Sequence, residues 1–166
     1  MSNRFPLILL ASLVVIGGIV WTAVSTHQGG LVRLEGSVLK VRTFPLTPES
    51  TLVLADFRVT NPTRQPFVVD KVEMFVDRPG GDPAAGDMLS RVDVDGVFEY
   101  QKLAGPKYND TLIVSSRIQP GESLDRMSVG RIDLPEAEID RRLAVRLRIR
   151  EIDGQVSEVR EASRQK

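Results

Sequence analysis

The 166-residue sequence contains no cysteine and only one histidine, His27. Without cysteine there can be no disulfide, no thiolate metal ligand, no iron–sulfur cluster and no cysteine nucleophile. His27 lies in a short polar segment, where a single histidine is typical of a solvated spacer. A serine–histidine–aspartate triad would have no other histidine to serve as its base. The sequence therefore predicts no catalytic residues, no cofactor and no metal site.

Charge is missing from the first part of the chain. Between Met1 and Gly30 the only charged side chain is Arg4. All 22 acidic residues and 21 of the 22 basic residues follow Gly30, which leaves that region with a formal net charge of −1. A nearly neutral domain lacks the basic face that nucleic acid binding requires. We therefore expect no nucleic acid partner.

The longest apolar run without charge is Phe5–Val24. As an α-helix, 20 residues would span about 30 Å, which matches the hydrocarbon thickness of a bilayer. Trp21 falls near the far end, where an amphipathic ring prefers the headgroup region. We therefore predict that residues 1–25 form a single transmembrane anchor in contact with membrane lipid. A cleaved signal peptide is the alternative, with residues 23–25 as a passable cleavage site.

The flanks of this segment predict its orientation. The amino terminus and Arg4 make the short first flank positive, which favours a cytoplasmic N-terminus and a domain beyond the membrane. In a bacterium the protein would be a single-pass inner-membrane protein with a periplasmic domain. The small residues Ala11, Ser12, Gly17 and Gly18 would let another membrane helix approach closely. Glycine is also simply common in membrane helices, and the segment has no GxxxG pair.

Residues 26–30 form a predicted linker, residues 31–161 a β-rich domain and residues 162–166 a polar tail. The clearest strand is 143–150, which alternates apolar residues with outward arginines. If residues 152–154 form a three-residue loop with a left-handed glycine, Arg148 pairs with Glu158 on the outer face. A two-residue loop would instead place Ile149 opposite Glu158.

Further alternating segments and turns predict about seven strands in all. The other predicted strands are Leu31–Arg42, with a bulge near residues 36–37, Thr51–Thr60, Phe67–Asp77, Thr111–Ile118 and Leu124–Ile132. Within them we expect the core to contain Val53, Ala55, Phe57, Val59, Val68, Val72, Met74 and Val76, with Val69 and Phe75 pointing outward. Two helical insertions are expected at Ser90–Leu103 and Pro135–Arg142, and a mobile loop at Asp77–Gly86. This pattern predicts a mainly β fold, a two-sheet sandwich with one or two short helical insertions.

Three stretches carry a resemblance to known domains. Leu54–Pro62 is a strand that ends in Asn-Pro, Phe67–Val76 is the strand after it, and Ile118–Ser123 contains a Pro-Gly-Glu turn. Together they resemble the immunoglobulin-like sandwiches of the FxLYD and late-embryogenesis-abundant water-stress type. That resemblance covers about a third of the chain and implies an immunoglobulin-like β-sandwich behind a bacterial membrane anchor, with no shared catalytic residues. The helix at Ser90–Leu103 departs from the simplest version of that fold.

The acidic pair Asp93 and Asp95, followed by Gly96, is similar to the start of a calcium-binding loop. A complete EF-hand loop would need a glutamate twelve residues from the first ligand, and that position holds Ala104. An acidic helix N-terminus explains the same residues.

The arginines Arg146, Arg148 and Arg150 are the most distinctive feature of the domain. One interpretation is an ordinary solvated strand face that is paired with Glu151, Glu158 and Glu161. The other is a docking face for an acidic partner or for anionic headgroups.

The absence of a chemical motif, together with the anchor and short linker, predicts a function. We expect a non-enzymatic, membrane-anchored accessory or stabilising subunit that binds membrane-protein partners in a larger complex. The alternative is a periplasmic module that binds a small ligand or a glycan. No small-molecule substrate is evident, and few aromatic residues outside the anchor could line a sugar site.

Overall fold

The computed structural model describes residues 16–18, 21, 33–100 and 105–162. The chain divides into two compact units, Met1–Leu31 and Val32–Lys166. In the part of the first unit that is described, Ile16, Gly17, Gly18 and Trp21 are helical and exposed. Among all described residues, no helix is both long enough and apolar enough to cross a membrane.

Most of the predicted anchor, the predicted linker and nearly all of the predicted tail lie outside the described residues. The same is true of His27 and of the small residues Ala11 and Ser12. The division into anchor, linker, domain and tail therefore stays a prediction.

The second unit is mainly β. Its described part contains strands and helices in this order: β1 (Glu35–Thr47), β2 (Ser50–Thr60), β3 (Phe67–Asp77), β4 (Ala84–Met88), α1 (Arg91–Tyr100), β5 (Arg117–Ile118), β6 (Ser123–Ile132), α2 (Glu136–Asp140), β7 (Ala144–Glu151) and β8 (Val156–Glu161).

The strands form two layers around one core. In hydrogen-bonded order they run β4-β6-β2-β1-β8-β7-β3-β5, and β4 also pairs with β3. All pairs are antiparallel except β1 with β8, which is parallel and joins only Ser37 to Arg160 and Val38 to Glu161. Because β4 pairs with β6 and also with β3, the strand order closes on itself; we refer to β6-β2-β1 and β8-β7-β3-β5 as its two layers, which β4 joins. The core between them includes Phe57, Phe67, Met74, Leu147, Ile149 and Val159.

The short strand β4 changes layers along its length. Met74 of β3 pairs with Gly86, whereas two residues later Met88 pairs with Gly130 of β6. The sequence analysis assigned Asp77–Gly86 to a loop, and this was wrong for the start of β4. Ala84-Ala-Gly-Asp-Met88 has neither β-branched residues nor clean alternation, so its pairing depends on the strands on either side.

Strand β2 is buried on both of its faces. Val53, Ala55, Phe57 and Val59 point into the main core as predicted. The alternate residues Leu52 and Leu54 belong to a second cluster with Val94 of α1 and with Met127 and Val129 of β6. The helix α1 therefore covers the outer face of β2 and β6.

The hairpin of β7 and β8 confirms the predicted register. Arg148 lies opposite Glu158, and Gly154 has a φ of 88°, in the left-handed region that favours glycine. The Gly154 amide donates to the carbonyl of Glu151, which closes the three-residue loop.

A bulge in β3 overturns part of the predicted core. The register against β7 shifts between Val69 and Lys71, so Asp70 is an extra residue. As a result Val69 is buried and Val68 is only half-buried, the reverse of the prediction. Beyond the bulge, Met74 and Val76 point inward as expected, and Val72 packs at the edge of the core.

The bounds of several other elements differ from the predictions. β1 begins at Glu35 and its register shifts at Val38–Lys40, slightly later than the bulge expected at residues 36–37. Thr111–Ile118 is not a continuous strand, because only Arg117–Ile118 pairs with β3. Both helices are confirmed. α1 is described over Arg91–Tyr100, next to residues outside the described part of the chain, and α2, at Glu136–Asp140, is shorter than predicted.

Asn61 joins the two turns that carry the family resemblance. The side chain is fully buried, and its Nδ2 donates to the carbonyls of Gln65 and Ile118. Its backbone N–H donates to Glu122, and its carbonyl accepts from Gly121. The strand that ends in asparagine and the Pro-Gly-Glu turn are therefore in direct contact.

Candidate functional site

The predicted docking arginines lie on the outer face of β7, where they are engaged in ion pairs. Arg146 donates to Asp77 at 2.8 Å, Arg148 to Glu158 at 3.4 Å and Arg150 to Asp70 at 2.9 Å. Two of the acidic partners come from β3 and one from β8, so β3, β7 and β8 all contribute. We call Arg146, Arg148, Arg150 and their acidic partners the charged face.

The charged face neutralises itself. Asp77 accepts from Arg146 and also pairs with Arg160 at 3.1 Å, and Glu158 pairs with Arg146 and Arg148. Burial alone would lower the pKa of Arg146, but its contacts with Asp77 and Glu158 outweigh that effect and raise it above its ordinary value. The geometry therefore favours the interpretation as a paired strand face.

The glutamates that pair with these arginines are not all the expected ones. Glu158 does so, but Glu161 instead holds Arg142, at 2.8 Å, and Glu151 is buried at the hairpin turn, where it accepts from the Asp153 amide. Exposed ion pairs contribute about 0–1 kcal/mol each. Arg148 and Arg150, both near 45 % exposed, stay accessible to a partner.

Of the small residues predicted to form a helix-contact notch in the anchor (Ala11, Ser12, Gly17 and Gly18), the structure describes the two glycines. Gly17 and Gly18 are helical and exposed, and Trp21 is 75 % exposed. Ala11 and Ser12 lie outside the described residues. The notch stays a prediction.

One concave surface is an apolar groove that the sequence analysis missed. It has a volume of about 630 Å³ and lies between β3, β4, the start of α1 and residues 111–114. Its apolar lining includes Val72, Phe75, Met88, Leu89, Ile113 and Val114. The sequence pattern did not reveal the groove, because its lining residues come from four separate segments. Two of those segments were assigned to the wrong secondary structure.

A strained turn forms one wall of the apolar groove. The Ser116 amide donates to the Ile113 carbonyl at 3.1 Å, and Ser115 between them has a φ of 68°. The left-handed conformation costs a residue other than glycine roughly 1–2 kcal/mol. It is maintained because Ser115 N–H donates to the carbonyl of Val69 at 2.7 Å. The turn presents Val114, 58 % exposed, to solvent.

A buried hydroxyl lies in the same wall. Thr111 Oγ1 is shielded from solvent and has no hydrogen-bond partner within the described part of the chain. Leaving such a group unsatisfied costs about 1–3 kcal/mol. The wall therefore combines backbone strain with an unsatisfied polar atom, and such features are concentrated at functional sites.

Asp93 and Asp95 have local structural roles. Asp93 accepts from Ser90 Oγ at 2.6 Å, and its amide donates to the same oxygen, so the pair caps α1. A hydrogen bond from Lys107 lowers the pKa of Asp95 below its ordinary value. Among the described residues, no cluster of three or more histidine, cysteine, aspartate or glutamate side chains could hold a metal ion.

Sequence reasoning also missed a partly buried polar cluster on the outer face of β1 and β2. Arg42 Nη2 donates to Asp56 Oδ2 at 3.0 Å, and Asn109 Nδ2 donates to Asp56 Oδ1 at 2.9 Å. The guanidinium of Arg42 also lies 5.1 Å from the centre of the Tyr108 ring, and Lys40 lies 4.9 Å from it. These contacts attach residues 105–110 to the sheet and occupy the ring of Tyr108.

Comparison with known proteins gives few matches. No protein-family model matches the sequence, and no curated protein matches it. A Bacillus subtilis protein described as a lipoprotein superposes with a TM-score of 0.46 and 10 % identity over 84 % of this chain. The chain spans only 39 % of that protein's length.

Two shorter solved structures match most of their own length. An uncharacterized β-sandwich protein of Clostridium difficile has a TM-score of 0.39 and 14 % identity, covering 77 % of this chain and 85 % of the other. The archaellum periplasmic stator protein FlaG of Sulfolobus acidocaldarius has a TM-score of 0.36 and 10 % identity, covering 76 % and 98 %. Likeness at this level transfers no function to the present chain.

Proposed function

We propose that this chain is a membrane-anchored, non-enzymatic accessory or stabilising subunit that binds other proteins in a larger membrane complex. The observation that carries the proposal is the apolar groove, with the exposed turn Ile113–Ser116 as its wall. A concave surface of this volume with a mostly apolar lining is the usual form of a binding site. The chemistry around the groove is that of a contact surface, since its polar groups form no nucleophile–base pair.

The charged face is a secondary contact surface in this proposal. Its arginines already have acidic partners, so docking there would exchange one ion pair for another and contribute little affinity. It would instead orient the partner through Arg148 and Arg150.

The membrane part of the proposal is supported by the sequence. The uncharged run Phe5–Val24 has the length of a bilayer span and would bring the protein into contact with lipid. The positive first flank with Arg4 supports an inner-membrane protein with a cytoplasmic N-terminus and a periplasmic domain.

The immunoglobulin-like assignment is also part of the proposal. It is supported by the two antiparallel layers, by β4 changing layers and by the contact between Asn61 and the turn at Gly121–Glu122. An unrelated sandwich could share the first two features, so the third is the most specific.

Native sizing after extraction in a mild detergent tests the accessory role. The wild-type chain should migrate with partner subunits, well above the size of an 18.4 kDa chain with its detergent. Val114→Glu should release the chain from that assembly, because a carboxylate would have to be buried at the contact. Ile152→Glu is the matched control, since Ile152, at 67 % against 58 % for Val114, is also exposed but lies at the β7–β8 turn. A lone wild-type chain with no partner would overturn the proposal.

The absence of cysteine makes orientation straightforward to test. Arg64→Cys places a single thiol on the exposed turn between β2 and β3. A maleimide reagent that does not cross the inner membrane should label this thiol in cells whose outer membrane alone has been permeabilised. Labelling only after the inner membrane is broken would place the domain in the cytoplasm.

The volume of the groove supports a second candidate, a module for a small apolar ligand. Ligand pockets usually measure about 300–1,000 Å³ and are lined mostly by apolar side chains. A glycan fits less well, because Phe75 is the one aromatic side chain among the described lining residues, and Tyr108 lies outside the groove beside Lys40 and Arg42. An apolar fluorescent probe should then bind to the purified protein, and the binding should be lost in Val114→Glu. This result favours the small-ligand candidate only if native sizing shows no protein partner.

A further inference from the structure

The direction of the backbone groups in β3 is fixed by its pairing with β7. Ile152, the residue after β7, donates its N–H to the carbonyl of Val68 in β3. The backbone groups of successive residues alternate in direction, so the even-numbered residues of β7 also turn their N–H and C=O groups toward β3. In register, Arg150 and Arg148 pair with Lys71 and Glu73. Lys71 and Glu73 therefore point their N–H and C=O groups at β7, and the residue between them points its groups the other way.

That residue is Val72, and it faces the apolar groove. On the same edge Met74 pairs with Gly86 of β4. Continuing this register would place Met88 beside Val72, but the pairing of β3 with β4 ends at Met74 and Gly86, and Asp87 and Met88 pair only with β6. At the other end Val69 is bonded to the turn at Ser115–Ser116. No strand of the described chain therefore lies beside Val72.

The surroundings of this gap are complementary to an uncharged chain. Each ionic side chain at the rim is already neutralised: Lys71 lies 2.6 Å from Glu73, and Arg131 lies 3.0 Å from Asp87. Arg91 at the start of α1 pairs with an aspartate one turn later. Among the described residues, a charged occupant would find no unpaired opposite charge at this rim, whereas apolar side chains would meet the apolar lining.

We propose that the groove receives an extended, uncharged, apolar segment of a partner protein, which adds a short strand beside Val72. This inference deepens the proposed function and rests on it. The N–H and C=O of Val72 would form two backbone hydrogen bonds with the segment, and alternate apolar side chains would contact Val114 and Met88. Val69 and Met74 are themselves bonded, so the four residues between them leave a free edge of roughly 13 Å at about 3.3 Å per residue, against which about four residues of the segment could lie.

Peptide binding to the full chain in lipid nanodiscs tests this inference. The probe is a blocked five-residue peptide of alternating valine and threonine, with empty nanodiscs to subtract partitioning into lipid. Binding should slow hydrogen exchange of the Val72 amide about tenfold or more, while the Met74 amide, already bonded to β4, changes little. A peptide with N-methylated central amides should bind at least about tenfold more weakly, since it cannot complete the strand pairing.

Variants separate the groove from the rest of the surface. Val114→Glu should weaken peptide binding at least about tenfold, and Ile152→Glu should leave it unchanged. Equal binding of the methylated peptide, or unchanged exchange at Val72, would overturn strand addition and favour an apolar ligand held by side chains alone. A dimer that forms without peptide and is lost in Val114→Glu would assign the groove to a second copy of this chain.

Failure of this inference is distinguishable from failure of the proposed function. If native sizing shows partner subunits that Val114→Glu does not release, the accessory role stands and strand addition at the groove is wrong. If the wild-type chain migrates alone, the accessory role is wrong whatever the peptide does.

Discussion

Replacing Arg142 by methionine should destabilise the domain more than any change on the charged face. The Arg142 side chain is 2 % exposed and is bonded to both carboxylate oxygens of Glu161, at 2.8 and 2.9 Å, and to the Ile139 carbonyl. Without it, Glu161 keeps the Val145 amide as a donor but has lost the guanidinium. Breaking a buried pair in this way costs about 3–5 kcal/mol, which is a large share of the roughly 5–15 kcal/mol that stabilises a domain.

The assay must report on the β-domain alone. The only tryptophan, Trp21, lies in the first unit, so its fluorescence is unsuitable. Urea unfolding of the full chain in a mild detergent, followed by far-ultraviolet circular dichroism of the strands, gives the free energy of unfolding. Arg148→Met is the matched control, because its ion pair is more than 40 % exposed on both sides and should cost at most about 1 kcal/mol.

A double variant distinguishes lost charge pairing from lost packing. Arg142→Met with Glu161→Met leaves no uncompensated charge, so stability should return most of the way to the wild-type value. Equal losses in Arg142→Met and Arg148→Met would refute the reasoning, and so would a double variant as unstable as the single one.

Three further predictions use other features of the domain. Gly36→Ala should lower the free energy of unfolding by about 2 kcal/mol or more in the same urea assay, because the new Cβ would overlap the backbone carbonyl of Arg58. An unchanged free energy of unfolding would contradict this close approach. Ser115→Gly should raise it by about 0.5–1 kcal/mol, since glycine tolerates the left-handed conformation; a loss would show that the turn is not strained. Carbon-detected NMR titration should find the pKa of Asp95 below its ordinary value of 3.8, and Lys107→Met should return it toward that value. Because the folded pKa is depressed, the stability from this pair is present above pH 3.8 and disappears as the pH falls below it.

The parts of the fold that follow from local patterning were predictable from the sequence. The alternation in β7 and the Gly154 turn predicted the Arg148–Glu158 register, because period-two side chains and a left-handed glycine leave few alternatives. The inward set of β2 was predicted for the same reason. Leu52 and Leu54 are also buried, because α1 covers the outer face of β2. The alternation of side chains along the strand does not reveal this cover.

The errors have one physical source, which is backbone geometry that no side chain specifies. One extra residue at Asp70 reverses the direction of Val68 and Val69, and nothing in the sequence marks it. The segment after Thr111 was expected to continue as a strand, yet it turns at Ser115, where a positive φ is unusual for serine. The apolar groove is formed by these misassigned segments. Its residues can be read in the sequence, but their arrangement around one groove could not be predicted from it.

The parallel contact of β1 with β8 also determines where the two ends of the domain lie. Glu161 at the end of β8 is beside Val38, three residues after the first residue of β1. With strands about 4.8 Å apart and about 3.3 Å per residue, the two ends are separated by on the order of 10 Å. A short glycine–serine connection could bridge them, so the β-domain is suited to circular permutation with new termini at the β7–β8 turn. For the same reason, it could be inserted as a cassette into a surface loop of another protein without separating the flanking residues of its host.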